Sequence, residues 1–313
     1  MKEHAILAQQ LLNGLIVGSV YAVFALGFTL IFGVHHILNL AHGSVAMWGA
    51  FIGLIAVSPA ALWPGTPFPT PFLPLPVAVV VAMLGGGLIG VLLDLVAFRP
   101  LRKRQASEFA ALVSSIGASL ILLSLAQQLS GTNIVRFPFG TFPIEIFQFA
   151  GLRLTLLQVT IVLSVVLLFG ALVFYLYRTS FGRQVRAVAV SERTATLLGV
   201  NTTSVYLQIF FISGALAGAA GVLIGLLFNS VHFLMGEPYL LRAFVVVVLG
   251  GLGSVVGAVV AGLLLGMIQT LTVVYVSSGL SDAIIFSILF AMLMIKPTGL
   301  FAGLRRDARV TRA

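Results

Sequence analysis

Three histidines, His35, His36 and His42, lie close together and are the residues of this chain most suited to binding a metal. They stand between two apolar runs, and no carboxylate or thiol accompanies them to complete a ligand set. Histidines in such surroundings more often form structural hydrogen bonds. We therefore expect no metal, no cofactor and no catalytic residue. A membrane-embedded enzyme that uses these histidines remains as an alternative hypothesis, which would require a bound metal.

The histidines belong to a short uncharged stretch, residues 33–43, that also contains Asn39. Either the chain turns here at an interface, or a helix breaks inside the protein around a polar cavity. The apolar run that follows, residues 44–57, is shorter than the roughly 20 residues that cross a membrane. Part of residues 39–43 is therefore expected to lie at membrane depth.

A second polar stretch, residues 178–204, interrupts the apolar sequence further along the chain and contains four arginines and Glu192. Residues 185–198 contain no Pro or Gly, which favours one short basic helix, with Gly199 as its stop and residues 201–204 as the exit. Two interpretations are open. The segment is a basic helix held at a membrane face, or it is a plain positively charged loop that only fixes topology.

Composition restricts the class of protein. The 313 residues are 60% hydrophobic and 8% charged, whereas a soluble domain carries about 25% charged residues. The apolar runs are continuous, which predicts an all-α polytopic membrane protein and disfavours a β-barrel. The net charge of +9 is better explained by loops that face anionic lipid than by nucleic acid. Zero cysteines exclude disulfides and thiolate chemistry.

About eight spans in a single transmembrane domain, residues 1–313, must position these polar segments. We interpret the first as a retained span and not as a signal peptide. A run of about 29 residues, 243–271, contains the sequence LGGLGS and is unlike one straight helix. We expect a half-span, a glycine turn at depth and a returning span there. The predicted spans are residues 8–32, 44–57, 77–98, 109–129, 154–177, 205–228, the segment ending at 271, and 282–295.

Positive charge predicts the orientation. Three clusters, residues 99–104, 178–204 and 296–313, hold four, four and five of the seventeen Lys and Arg residues. They should share the cytoplasmic side, which places the N-terminus outside and the basic tail, residues 296–313, in the cytoplasm. Asp94 is expected to be an interfacial acid beside the first cluster, or else a buried coupling acid. No acid is expected at the membrane midplane.

The first span with its histidine break also resembles the sixth span with the VHFLMGEP break, which suggests an inverted repeat.

Four stretches in order resemble one family. They are GLIVGSVYAVFALGFTLIFGVHHILNLAHGS at residues 14–44, FRPLRKR at 98–104, FGRQVRAVAVSERTATLLGVN at 181–201 and VVVVLGGLGSVVGAVVAGLLLG at 245–266. Together they resemble the branched-chain amino acid ABC importer permeases, specifically the subunit with an Asn-Leu-Ala-His-Gly signature. The resemblance covers nearly the whole chain.

The resemblance implies a bacterial inner-membrane subunit that pairs with a second homologous permease, two cytoplasmic ATPases and a periplasmic or lipid-anchored binding protein. ATP and Mg would be bound by the ATPases. The cytoplasmic loop would insert as a coupling helix into a groove on an ATPase. The Glu-Ala-Ala motif of the wider importer class is only partly present. The implied coupling residues are Gly182, Arg183, Arg186, Glu192, Ala195 and Gly199.

Substrate would pass between two permeases, and exposed backbone at helix breaks can bind the charged groups of an amino acid. The expected path residues are Asn39, His42, Gly43, Gly250, Gly251, Gly253 and Ser254. Alternatively, these glycines only permit close packing and turning. Related permeases carry branched-chain and other amino acids, amides or urea. The competing hypothesis is an autonomous secondary carrier or channel.

Overall fold

The computed structural model describes residues 2–63, 72–138, 141–143, 145–149 and 152–301. Within these ranges the chain is almost entirely helical, apart from one hairpin of strands β1 (Ile146–Phe149) and β2 (Leu152–Thr155). A π-helical turn, Asp94–Phe98, joins α3 to α4. The helices are α1 (Lys2–His35), α2 (His42–Val57), α3 (Leu75–Leu93), α4 (Arg99–Lys103), α5 (Glu108–Ser130), α6 (Leu156–Arg178), α7 (Ser180–Val190), α8 (Glu192–Leu197), α9 (Thr202–Phe228), α10 (Gly236–Gly250), α11 (Val255–Tyr275) and α12 (Ser281–Ile295).

Six of the described helices are long and apolar enough to cross a membrane, namely α1, α3 with its extension, α5, α6, α9 and α11. Helices α2 and α12 are apolar but have only 16 and 15 residues. These eight helices correspond to the eight predicted spans. The all-α polytopic membrane fold is therefore confirmed. Most of the predicted basic tail, residues 302–313, lies outside the described residues.

The core of the bundle is built on α1 and α9, whose membrane-crossing windows are 83% and 78% buried. Small residues, such as Gly14 and Gly18 on α1, bring the helices together. A Cβ atom at Gly18 would lie 2.7 Å from the Leu263 Cα on α11, and one at Gly14 would lie 2.7 Å from the Met267 Cα. Close backbone approach of this kind holds helices together in lipid, where apolar burial gives little driving force.

The helix contacts support the inverted repeat. Helix α1 packs on α11 and α9 packs on α3, while α2 contacts α9 and α10 contacts α1. These contacts are kept when α1, α2 and α3 are exchanged for α9, α10 and α11, and α5 contacts α2 as α12 contacts α10. Ser213 on α9 donates to the Gly27 carbonyl, and Tyr206 stacks on His35 at the end of α1. Along the contact between α1 and α9, residue numbers rise on α1 while they fall on α9. The two halves therefore run in opposite directions.

Two short helices begin inside the bundle. The His42 side chain at the start of α2 reaches the Phe24 carbonyl at 3.2 Å, within the crossing segment of α1. The start of α10 lies against α2, because Gly236 and Gly43 are in backbone contact. The prediction that residues 39–43 reach membrane depth is therefore confirmed. The two helix starts meet near the centre of the inverted repeat.

The glycine turn lies elsewhere than predicted. It occupies residues 251–254 between α10 and α11, and a Cβ atom at Gly33 would lie 3.2 Å from the Gly253 Cα. Gly33 is two residues from the end of the crossing segment of α1. The expectation of a turn at depth is thus wrong. The half-span is real, but its deep end is the start of α10, because the polar segment after α9 folds back into the bundle.

The described parts of the three basic clusters lie at one end of the bundle, which we call the basic end. Arg102 contacts His35 at the end of α1 and stacks on Tyr206 near the start of α9. The Leu300 amide donates to the Leu249 carbonyl beside the glycine turn. The beginning of α1 is at the opposite end, where Gln9 bonds the backbone of Arg153.

Candidate functional site

The polar segment 178–204 forms two helices, α7 and α8, separated by Ser191. The single helix expected over residues 185–198 is therefore wrong. Ser191 adopts an extended conformation, and its hydroxyl accepts the Thr194 amide at 3.2 Å. A serine that caps a new helix in this way ends the preceding one. The predicted limits are correct, because α8 ends just before Gly199 and Asn201 caps α9.

Helix α7 is fixed to the end of α6 by two of the predicted coupling residues. The Gly182 amide donates to the Thr179 hydroxyl at 3.0 Å, and a Cβ atom at Gly182 would collide with the Tyr175 and Leu176 carbonyls. Arg186 donates to the Leu176 carbonyl and lies over the Tyr177 ring. These contacts turn the chain sharply from a membrane-crossing helix into one at the membrane face. Gly182 and Arg186 therefore set the angle of the segment.

The segment exposes three large apolar side chains. Val190, Leu197 and Leu198 are 72%, 81% and 77% exposed. Ala195 is buried, whereas Arg183 and Glu192 are exposed. Exposed apolar side chains of this kind mark a surface that contacts lipid or another protein. The sequence analysis did not select these three residues, although the run Leu197–Leu198 in a polar segment was a usable signal.

Gly199 ends α8 with a positive φ of 81°, and the Val200 amide donates to the Ala195 carbonyl at 3.0 Å. This is a glycine cap in the left-handed conformation, which other residues adopt at a cost of about 1 kcal/mol. A Cβ atom there would meet nothing within 4 Å. Gly199 is therefore required for its backbone angle and not for space.

A buried polar network lies beneath the segment. The Asp94 side chain is fully buried and accepts two bonds from Arg102, at 2.6 and 3.1 Å. Arg102 also donates to His35 and lies 4.2 Å from the centre of the Tyr206 ring. Helix α8 packs on α9, which carries Tyr206 near its start. The sequence analysis expected Asp94 to be an acid beside the first basic cluster or else a buried acid. In the structure it is both, since it pairs with the basic cluster and is also buried.

The predicted path residues near α2 are enclosed. Asn39 and His42 are 3% and 1% exposed, and the Asn39 side-chain oxygen Oδ1 accepts a hydrogen bond from the Ala41 amide at 3.1 Å. His42 packs its ring edge-on against Phe24 and Phe28. Gly43 is held against Gly236. In this conformation these residues shape the start of α2.

The other predicted path residues form the glycine turn at the basic end. Gly250 packs against Gly257, Gly251 and Gly253 have positive φ angles, and the Ser254 hydroxyl caps α11 at the Gly257 amide. The path residues near α2 and those of the glycine turn lie beside different parts of α1. These two parts are about 10 Å apart along the helix axis, at 1.5 Å per residue. The structure therefore brings together each predicted group but does not join the two into one site.

The histidines do not converge. His35 stacks on Tyr206, whereas His42 bonds the Phe24 carbonyl. Among the residues that the structure describes, no group of three or more His, Cys, Asp or Glu could hold a metal ion.

Comparison with known proteins decides the family. A family model described as the branched-chain amino acid transport system permease component matches residues 10–295. The chain belongs to this permease family. The permease is 32% identical to the high-affinity branched-chain amino acid transport system permease protein LivH of Escherichia coli K12 over 295 residues, which cover 93% of this chain and 94% of LivH. The resemblance of the four sequence motifs is thus confirmed.

Other relatives of the permease agree. It is 32% identical to the BraD permease protein of Pseudomonas aeruginosa, with 93% and 94% of the two chains covered. It is 29% identical to the probable branched-chain amino acid transport permease protein LivH of Methanocaldococcus jannaschii, with 93% and 92% covered. No solved structure matches. The permease is thus a multi-pass membrane transport subunit.

Proposed function

We propose that this permease is the membrane subunit of an ATP-driven importer for branched-chain or other amino acids and forms half of the translocation path. The observation that carries the proposal is the apolar coupling surface, Val190, Leu197 and Leu198, at the basic end of the bundle. The names of relatives such as LivH and BraD support the substrate class.

Two cytoplasmic ATPases would supply the energy, and this chain would hydrolyse nothing. Each ATPase would bind ATP and Mg, and one would receive α7 and α8 in a groove. A second homologous permease would complete the path, and a periplasmic or lipid-anchored binding protein would deliver substrate. The basic end would face the cytoplasm of a bacterial cell, because positively charged loops remain on that side. This orientation places the N-terminus outside.

The mechanism would be alternating access driven from the coupling surface. When ATP closes the ATPase pair, α7 and α8 move with it. Gly182 and Arg186 transfer this movement to α6, and the packing of α8 on α9, together with Tyr206 and Arg102, transfers it to the ends of α1, α3 and α9. Because α1 and α9 form the core, a tilt of their ends would change which side of the path is open.

Co-purification tests the proposal directly. The chain is expressed with its neighbouring proteins from the source cell, extracted in detergent and pulled down. We expect two ATPases and a second permease to co-purify, and we expect uptake in liposomes to require ATP. In the double variant Arg186→Glu/Gly199→Pro, ATP hydrolysis should be uncoupled from transport, with binding-protein affinity unchanged. Transport-coupled hydrolysis at the wild-type rate in this variant would remove the coupling assignment.

An autonomous secondary carrier is the second candidate, and one observation favours it. Arg242 and Asp282 form an ion pair beside Tyr21, near the middle of the crossing segment of α1. Asp282 lies at the surface of the bundle but level with the middle of α1, so this acid stands nearer the midplane than the sequence analysis expected. Ion-driven carriers need such charges. A chain that purifies alone and moves solute without ATP would establish this alternative.

A further inference from the structure

An ion pair joins the two short helices of the second repeat. Arg242 on α10 directs its Nη2 and Nε to the same oxygen of Asp282, at 2.8 and 3.3 Å. The other carboxylate oxygen, Oδ2, has no hydrogen-bond partner among the described residues. The Arg242 side chain is 15% exposed and that of Asp282 is 59% exposed. One oxygen of the acid is thus paired and the other is presented outward.

The pair lies at the surface of the bundle, level with the middle of α1. The Arg242 guanidinium is 5.9 Å from the centre of the Tyr21 ring. Tyr21 is halfway between Ile6 and His35, which limit the crossing segment of α1. The Tyr21 hydroxyl bonds Gln269 on α11, so the surrounding groups are also polar. The pair is therefore level with a point about 21 Å along the α1 axis from either end of that segment.

Lipid is an unsuitable neighbour for this face. Charged groups at the bilayer centre are unfavourable by several kcal/mol and almost always face the bundle interior or a water-filled cavity. Glu237, in the first turn of α10, is also exposed beside the deep start of that helix. Two exposed carboxylates at depth indicate that α10 and α12 face an aqueous path.

An aromatic surface adjoins the charges. Tyr239 contacts Tyr21 and Phe228, with ring centres 5.9 and 6.2 Å apart, and Arg242 lies 5.8 Å from the Tyr239 ring. Phe228 is 49% exposed. A cation, an outward-facing carboxylate oxygen and an apolar wall therefore share one place. This combination complements an amino acid with an apolar side chain, which carries both charges on one carbon.

We propose that Arg242 and Asp282 form a transit site for a zwitterionic α-amino acid. Asp282 Oδ2 accepts the ammonium group, Arg242 receives the carboxylate, and Tyr239 and Phe228 contact the aliphatic side chain. The site rests on the proposed import function and names the groups that would recognise the substrate within the membrane. It is separate from the predicted path residues Asn39 and His42, which are enclosed.

The absence of cysteine from the chain gives a direct test. Phe286 lies one turn after Asp282 on α12 and is partly exposed, so Phe286→Cys places a single reporter thiol beside the site. Ser287→Cys is the matched control, because Ser287 is exposed and only 1.5 Å further along the helix axis but is turned about 100° from Phe286. Partner subunits are prepared without cysteine, and the complex is reconstituted in liposomes with a second permease and its ATPases.

Reaction with a charged, water-soluble thiol reagent is followed with and without added solute. We expect Phe286→Cys to react about fivefold faster than Ser287→Cys. L-leucine should slow the reaction at Phe286→Cys severalfold, whereas leucinol, which lacks the carboxylate, and 4-methylpentanoate, which lacks the ammonium, should not. Adding Asp282→Asn or Arg242→Gln should abolish this protection by leucine.

The same preparation separates the two proposals. Stimulation of ATP hydrolysis by loaded binding protein reports the import function without requiring the transit site. If hydrolysis is stimulated but Phe286→Cys is unreactive, the face is covered by lipid or protein and the site is wrong. Equal protection by leucine and by either analogue would also overturn recognition of the zwitterion. If no partner stimulates hydrolysis, the import function itself fails.

Discussion

Replacing Asp94 by asparagine would test the buried network beneath the coupling surface. The Asp94 carboxylate is fully buried and accepts two bonds from Arg102. Asparagine has nearly the same shape but no charge, and only one of its two terminal atoms accepts hydrogen bonds. The substitution therefore leaves the Arg102 cation in place without its counterion and creates no cavity.

The expected loss is large. Removing one partner of a buried ion pair destabilises proteins by about 3–5 kcal/mol, because the other charge remains buried. The Arg102 side chain is 19% exposed and can regain some hydration, so we expect the lower limit, about 3 kcal/mol. Since 1 kcal/mol shifts the Tm by about 2–4 °C for domains of 150–250 residues, the midpoint should fall on the order of 10 °C.

The assay is thermal unfolding of the purified permease in detergent, followed by the fluorescence of Trp48 and Trp63. Wild type and variants are heated at one scan rate, because unfolding of membrane subunits is often irreversible. Glu145→Gln is the control, since Glu145 is exposed and its loss should leave the midpoint within about 1 °C.

A second variant separates charge from packing. In Asp94→Leu/Arg102→Met both charges are absent, so most of the midpoint should be recovered. The reasoning is refuted if Asp94→Asn unfolds within about 2 °C of wild type, or if the double variant is less stable than the single one. Either result would mean that the pair is not what holds the ends of α1, α3 and α9 together.

Three further predictions concern the contacts between helices and the coupling surface. Gly236→Ala should lower the yield of folded protein severalfold, because its Cβ would collide with the Gly43 carbonyl. Gly170→Ala is the control, because a Cβ atom there would meet nothing within 4 Å. That substitution should be neutral or raise stability by about 0.5 kcal/mol. Leu197→Asp should leave the Tm unchanged but abolish ATPase co-purification, because the side chain is 81% exposed. Gly199→Ala should cost about 1 kcal/mol of helix-end stability through its positive φ, measured as faster amide exchange in α8.

Much of the fold was predictable because continuous apolar runs define membrane helices. The short run at residues 44–57 also predicted correctly that the segment around His42 reaches membrane depth. Conformations that depend on a single side chain were not predicted. One example is the helix break at Ser191, where a hydroxyl caps a new helix. The surrounding segment contains no Gly or Pro that would have indicated a break. Hydropathy carries no signal for such a cap.

The sequence also did not predict how deep charged residues lie in the bundle. Asp282 begins an apolar run, and the start of a run ordinarily marks a membrane surface. In the structure that start lies beside Tyr21 and Arg242, because the chain folds inward after α11. Likewise, the burial of Asp94 depends on α1 and α9, which are distant in sequence. Contacts between distant helices decide such positions, and no local pattern records them.

The packing of α1 on α11 has a consequence for biosynthesis. Helix α1 leaves the ribosome long before its main partner, since Gly14 and Gly18 meet Met267 and Leu263 about 250 residues later. Until then its glycine-rich side faces lipid or an insertion chaperone. Contacts between such distant positions slow assembly and prolong exposure of partly folded chains. A nascent chain that stalls before α11 would therefore leave α1 without its main packing partner. Membrane quality-control proteases could recognise this unpaired helix.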